Sequence, residues 1–418
     1  MNNENREVNH KLTKKRIIIV LLILILFFFT AFGFYKLGTK MALASFTNIP
    51  NKELKEQFKD FKDVSNFNQL FYVRDLIYKY YDGDIDKTKL VDGAIKGMTE
   101  SLDDPYTVYM NKNQYKQFSE KVDGNYVGIG VEVQLKDNKM TVLKVVNDSP
   151  AEKAGIKAGD VILKINNKEV SEKDFETSIS MIKGKEGTNV NITLFREGKG
   201  NIIVDVTRKI MKVKSVSGDM INSNIGYIQI KEFTKDVGND FNDTLKRLKS
   251  KGMNGLILDL RDNRGGYMNE CINIASNFIE KGKPIVYTIN KYGKKNISES
   301  KGGDAIGMPL VVLINGETAS ASEIVSGAIK DYNLGTLIGE KTYGKGVVQT
   351  IIEDKNNGSA LKVTISKYYT PSNHNINKVG IKPDIEVVYP KDLISKPYNR
   401  SLDPQFQEAL KVIEKRVK

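Results

Sequence analysis

The chain has 418 residues with 64 basic and 51 acidic side chains, a formal net charge of +13, two histidines and one cysteine. A single cysteine, Cys271, excludes an intrachain disulfide and a cysteine-built zinc site. The two histidines, His10 in the N-terminal tail and His374 in a polar turn, argue against a histidine base, and basic residues interleaved with acids, as in Lys231-Glu232, argue against a nucleic-acid patch. A basic domain facing an anionic envelope is the simpler reading.

In chain order, residues 1–16 form a basic tail carrying Lys11, Lys14, Lys15 and Arg16. Residues 17–35 are almost continuously apolar, long enough as a helix for the roughly 30 Å of a bilayer core. Ala42-Leu43-Ala44 resembles a signal-peptide cleavage site. The apolar run exceeds a signal-peptide core, however, and Lys36 and Lys40 separate it from that site, which favours an uncleaved anchor. The basic tail then stays in the cytoplasm and everything after it lies outside a bacterial cell membrane. Residues 36–66 read as a linker. Residues 67–118 open on a helix whose Phe67, Leu70, Phe71, Val73, Leu76, Ile77, Tyr80 and Tyr81 recur at helical spacing, a stripe that requires a covering surface within the subunit or in a homodimer.

After residue 208 short apolar strands alternate with helices, the rhythm of a layered α/β core. Gly255-Leu256-Ile257-Leu258-Asp259-Leu260-Arg261 reads as a buried strand running into Asp262-Asn263-Arg264-Gly265-Gly266, where paired glycines permit a close backbone approach. Residues 308–314 are a second buried strand and residues 323–330 a helix. Ser320 stands between them, at a helix start whose free N–H groups can hold an oxyanion. Ser320-Ala321-Ser322-Glu323 also fits a capping box, which needs no catalysis. Lys345, between Gly344 and Gly346, offers an amine that burial can make basic enough to replace histidine. Residues four apart share a face in a strand as in a helix, so Gln349 can lie beside Lys345 and orient its amine. Asp403 as cap and Pro404 at the first helical position start a C-terminal docking helix.

With Leu258 to Gly266, Thr318 to Ile324, Gly339 to Gly346 and Lys367-Tyr368-Tyr369-Thr370-Pro371 in this order, the chain resembles the carboxy-terminal processing proteases, tail-specific serine endopeptidases of the S41 peptidase family with a PDZ domain. The resemblance runs from about Gln69 to the C-terminus. It implies Ser320 as nucleophile, Lys345 as general base, Gln349 as its support, and the N–H groups of Gly266 and Ala321 as oxyanion donors, without metal or cofactor. Two positions depart from the family's usual pattern. Arg264 replaces a frequent proline, so the turn loses rigidity or carries a charge near the substrate, and Thr318 replaces a frequent serine.

The same resemblance places a PDZ domain at 119–208. Val127, Gly128, Ile129 and Gly130 form the loop that receives a peptide carboxylate, and the strand after them accepts the peptide as an added strand. Ser149-Pro150-Ala151-Glu152-Lys153-Ala154-Gly155-Ile156 fits the helix that comes next. Lys183 stands where relatives carry an arginine that links the PDZ domain to the protease. The implied fold is an α/β crotonase/Clp-like protease core at 209–390, preceded by the PDZ domain, an N-terminal helical region and one transmembrane helix, and followed by a helical segment at 391–418. The implied function is a membrane-anchored Ser-Lys endopeptidase acting on proteins with exposed apolar C-termini. The alternative is a PDZ scaffold whose protease domain binds tails without cleavage; an acyl-CoA enzyme on the related core leaves the PDZ domain unexplained.

Overall fold

The computed structural model describes residues 67–136, 138–171, 175–394 and 396–417. The tail, the anchor expected at 17–35 and the linker lie outside the described residues. Among the described residues no helix is long and apolar enough to cross a membrane.

The chain divides after Lys87 into two units. The first contains α1 (Asn68–Tyr80), with no residue buried. In this single chain its apolar stripe is open, with Tyr80 68% exposed and Leu70 43%. Helical spacing identifies an apolar face, not what covers it.

The second unit starts within α2 (Lys87–Glu100) and continues through β1 (Val108–Met110) and α3 (Lys112–Val122). A full capping box starts α3: Gln114 N–H donates to Asn111 Oδ1 (3.1 Å) and Asn111 N–H to Gln114 Oε1 (3.0 Å). Next, β2 (Asn125–Gly128) leads into a small domain of β3 (Val131–Lys136), β4 (Lys139–Val145), α4 (Pro150–Lys153), β5 (Val161–Ile165), β6 (Lys168–Glu169), α5 (Phe175–Ile182), β7 (Asn189–Arg196) and β8 (Gly200–Thr207). The sheet runs β3-β4-β5-β7-β8, with β6 on β5. Val190, Ile192 and Leu194 alternate inward along β7 to meet Ile129, Met140, Val142, Ile162 and Ile165. The chain leaves through β9 (Lys209–Lys212), antiparallel to β2, so the entering and leaving strands of the domain form one two-stranded ladder.

The remaining elements are β10 (Val216–Met220), β11 (Ile225–Ile230), α6 (Val237–Lys249), β12 (Gly255–Asp259), α7 (Met268–Ser276), β13 (Pro284–Asn290), β14 (Lys295–Glu299), β15 (Leu310–Ile314), α8 (Ala321–Asp331), β16 (Thr336–Gly339), β17 (Val347–Glu353), β18 (Ala360–Tyr369), β19 (Ile385–Glu386), α9 (Lys391–Ile394) and α10 (Pro404–Glu414). One sheet runs β10-β11-β12-β15-β16-β19 and is parallel except for β10. Its central strands are buried on both faces, which is why they read as unbroken apolar runs. Leu256, Leu258, Leu310, Val312 and Ile314 face one core with α6, α7 and α8, whereas Ile257, Val311 and Leu313 face another with Phe406, Ala409 and Ile413 of α10. A second, antiparallel sheet, β1-β18-β13-β14 with β17 on β18, closes over the first core.

The C-terminal helix therefore docks within its own subunit. Phe406 N–H donates to Asp403 Oδ1 (3.0 Å), making the expected cap. Asp403 Oδ2 accepts from Arg261 Nη1 (2.7 Å), and Arg261 also grips Asp259 (2.6 Å). Breaking one partner of such a buried pair typically costs about 3–5 kcal/mol, so α10 is fastened to the end of β12 by more than apolar contact.

Candidate active site

The parallel strands β12 and β15 end side by side, which brings the turns after them together. After β12, the turn is held through Asn263. Its Oδ1 accepts from Gly265 N–H (2.9 Å), its Nδ2 donates to the Ile230 carbonyl (2.8 Å), and its carbonyl accepts from Ala319 N–H (3.0 Å) and Ser322 Oγ (2.9 Å). These bonds supply the rigidity that a proline at 264 would have given, and Arg264 points outward to Glu317 (2.7 Å). Thr318, in place of a serine, donates to the Leu260 carbonyl (2.9 Å).

Both glycines are required sterically. A Cβ on Gly265 (φ 102°) would stand 2.8 Å from Ser320 Cβ and 3.0 Å from Ala321 N; one on Gly266 (φ 140°) would stand 2.2 Å from the Phe233 carbonyl oxygen. The turn is thus pressed against the start of α8. Neither Gly266 N–H nor Ala321 N–H donates to a protein acceptor among the described residues; Ala321, as the first helical residue, has none within the helix.

Ser320 has φ 56° and ψ −115°, a conformation that a non-glycine residue holds at a cost of about 1–3 kcal/mol. Its carbonyl accepts from Glu323 N–H (2.9 Å), Ile324 N–H (3.0 Å) and Tyr368 Oη (3.1 Å), so the main chain is held from two sides. The Glu323 carboxylate is fully buried. Oε2 accepts from Ser320 N–H (2.9 Å) and Lys345 N–H (2.9 Å), and Oε1 from Gly344 N–H (2.8 Å) and Thr342 Oγ1 (2.6 Å). One carboxylate therefore clamps the backbones of Ser320 and Lys345. Burial pushes its pKa above the usual range, and the four donors oppose that rise. Sequence reading took Glu323 only as a capping residue and missed this second duty.

The glycines around Lys345 serve the close approach expected of them: a Cβ on Gly344 would stand 2.8 Å from Gly380 N, and one on Gly346 2.6 Å from Asn377 N. The Lys345 ammonium lies over the Tyr106 ring, 4.5 Å from its centroid. Burial lowers its pKa first and the Lys362 charge second, against the pull of Asp104 and Glu323. Gln349 lies on β17, which starts at Val347, two residues after Lys345; opposite Val348 and Gln349 the strand β18 carries one extra residue, Ile365. Gln349 Nε2 donates to Thr364 Oγ1 (3.3 Å). Thr364 N–H donates to Thr107 Oγ1 (3.1 Å), which donates to Asp104 Oδ2 (2.7 Å). His374 is 74% exposed beside Asp331, and Cys271 is buried with its thiol pKa pushed up by burial.

In the small domain, Val127 and Gly128 belong to the β2–β9 ladder, while Ile129 and Gly130 lie beyond it. The N–H groups of Ile129 and Gly130 donate to no protein acceptor among the described residues. Strand β3 has β4 on one side only, leaving the other edge unpaired among the described residues. Val131 and Val133 on β3, with Phe175 and Ile179 one turn apart on α5, are half-buried against the domain core. The Lys183 ammonium lies 5.9 Å from the centroid of the Tyr126 ring. Arg208, which sequence reading missed, closes the C-terminus of α5 by donating to the carbonyls of Ile182 (2.9 Å) and Met181 (2.7 Å). Nothing in the pattern distinguished this arginine from other basic residues.

Comparison with known proteins agrees with this organisation. The family model for Peptidase family S41 matches residues 224–387, the PDZ domain model residues 127–205, and the model for the activating protease CtpB N-terminal domain residues 27–114. The chain is 40% identical over 334 residues to the carboxy-terminal processing protease CtpA of Bacillus subtilis (strain 168), covering 80% of this chain and 71% of that one. It is 39% identical over 333 residues to the "Probable CtpA-like serine protease" of Staphylococcus aureus (strain COL), covering 79% and 66%. A crystal structure assigned to the S41 proteases, from Bacteroides fragilis, shares the fold with a TM-score of 0.52 at 18% identity, over 81% of this chain and 93% of that one. The chain belongs to the S41 peptidases, which are serine proteases, and within them to the carboxy-terminal processing proteases with a PDZ domain.

Proposed function

We propose that this chain is a membrane-anchored endopeptidase in which Ser320 and Lys345 form the catalytic pair and the PDZ domain selects substrates by their apolar C-terminal tails. The observation that carries the reading is the Glu323 carboxylate, which holds the N–H groups of both residues, beside the N–H groups of Gly266 and Ala321, which have no protein acceptor among the described residues. Neutral Lys345 takes the proton of Ser320 Oγ as that oxygen attacks the scissile carbonyl. The developing oxyanion is held by Gly266 and Ala321 N–H. Lys345 then returns the proton to the leaving amine, leaving an acyl group on Ser320. A water molecule, deprotonated by the same amine, attacks the ester and frees the enzyme. Gln349 supports Lys345 through the Thr364–Thr107–Asp104 chain.

For the tail, the N–H groups of Ile129 and Gly130 receive the terminal carboxylate, the peptide lies along the open edge of β3, and its last side chains rest on Phe175 and Ile179. The apolar run at 17–35 tethers the enzyme with its catalytic part outside the cytoplasm.

The test is cleavage of an unfolded protein by the full chain in detergent. An apolar C-terminus should be processed with KM at least about tenfold below that of the same protein ending in two aspartates, and Ser320→Ala should cleave neither. Tail binding without cleavage by the unaltered chain would instead identify a scaffold.

A further inference from the structure

Resting on the Ser-Lys reading, we propose that Asp123 is a positioning residue for the oxyanion turn, acting through the hydroxyl of Tyr267 to keep the Gly266 N–H aimed at the reacting carbonyl. Gly265 and Gly266 both take positive φ, 102° and 140°, so the turn has little stiffness of its own and depends on what grips it from outside. Phe233 supplies the first grip. It stands opposite Gly266 as a parallel bridge, its N–H donating to the Gly265 carbonyl (2.8 Å) and its carbonyl accepting from Tyr267 N–H (2.7 Å). Successive residues of an extended segment turn their N–H groups to opposite sides. With residues 265 and 267 bonded to Phe233, the N–H of the exposed Gly266 faces away from it.

The second grip is a side chain 144 positions earlier in the chain. Asp123 closes α3, and its Oδ1 accepts from Tyr267 Oη (2.7 Å), while its Oδ2 accepts a longer bond from Ser119 Oγ (3.4 Å). Gly124, next to it, presses on Thr234: a Cβ there would stand 2.7 Å from Thr234 Cβ. Residues 123 and 124 therefore touch Tyr267 and Thr234, the neighbours of Gly266 and Phe233, and brace both sides of the bridge. Tyr267 also stands at the start of α7, where serine, aspartate or asparagine would cap the free N–H groups, yet its side chain caps nothing. Its hydroxyl is committed to Asp123 instead. Burial first, and then the bond to Asp123, raise the phenol to about 12, so it stays a donor at neutral pH. Both side chains are half-buried, where a hydrogen bond to a carboxylate holds better than in open water.

Losing one hydrogen bond to a charged group should cost about tenfold in the step that the turn serves. With the full chain in detergent and an unstructured tail-bearing peptide, Tyr267→Phe, which removes only the hydroxyl, and Asp123→Ala should each lower kcat about tenfold and leave KM within about twofold. The double variant should lose no more than either alone, since both changes remove the same bond. Asp123→Asn, whose oxygen still accepts, should recover most of the loss. A peptide aldehyde reports on the oxyanion alone: Ser320 Oγ adds to its carbonyl carbon, the hydroxyl proton passes to Lys345, and the carbonyl oxygen becomes the oxyanion. Each single variant should bind the aldehyde about tenfold more weakly and the matching peptide alcohol as tightly as the unaltered chain does. Unchanged kcat and aldehyde affinity in both single variants, losses that multiply in the double variant, or an equal loss for the alcohol would overturn the proposal and leave the Ser-Lys reading standing. Aldehyde affinity undiminished by Ser320→Ala would overturn both.

Discussion

Replacing Glu323 by alanine should cost the folded protein about 3–5 kcal/mol and reduce kcat/KM by at least about a hundredfold, because four donors lose a buried acceptor together. The N–H groups of Ser320, Gly344 and Lys345 and the Thr342 hydroxyl all end on this carboxylate. Glutamine should not rescue it, since an amide keeps one acceptor oxygen and turns an NH2 group towards the donors of the other. Thermal unfolding and peptide cleavage measured on the same preparations check both halves of this expectation. A Glu323→Gln protein with unaltered stability and rate would mean that the clamp does not hold the site.

Gly266→Ala should leave tail binding unchanged and lower kcat by roughly 10²–10³, the usual loss when one oxyanion donor is displaced. The added Cβ would meet the Phe233 carbonyl oxygen at 2.2 Å, and Phe233 also accepts from Tyr267 N–H (2.7 Å), so the turn has to move rather than its neighbour. Tail affinity by fluorescence anisotropy, beside kcat and KM, separates the two effects. A rise in KM with unchanged kcat would place Gly266 in substrate binding.

The parts of the site legible in the sequence were those encoded locally. Apolar runs at 255–261 and 308–314 announced buried strands, Gly265-Gly266 announced a close approach, and Asp403-Pro404 announced a helix start; each has its counterpart in the backbone. Lys345 was legible because glycines flank it where the backbones of Asn377 and Gly380 press close. Asp123 was not, because its bond to Tyr267 spans 144 residues, and a charged residue carries no sign of such a partner. The hydrogen bond of Gln349 to Thr364 was not legible, because it depends on the pairing of β17 with β18 and on the extra residue Ile365 that β18 carries there. The helix at 68–80 was legible as a helix, while its open apolar face shows that periodicity alone does not say where a stripe is covered.

The central claim is that Ser320, activated by Lys345, becomes covalently acylated during turnover. Intact-mass and peptide-mass spectrometry of the full chain, acid-quenched while cleaving a tail-bearing peptide ester, tests it directly. The account predicts one acyl group, located on Ser320, absent from Ser320→Ala and formed at least about a thousandfold more slowly in Lys345→Met. An acyl group on another residue, or steady cleavage by Ser320→Ala, would contradict it.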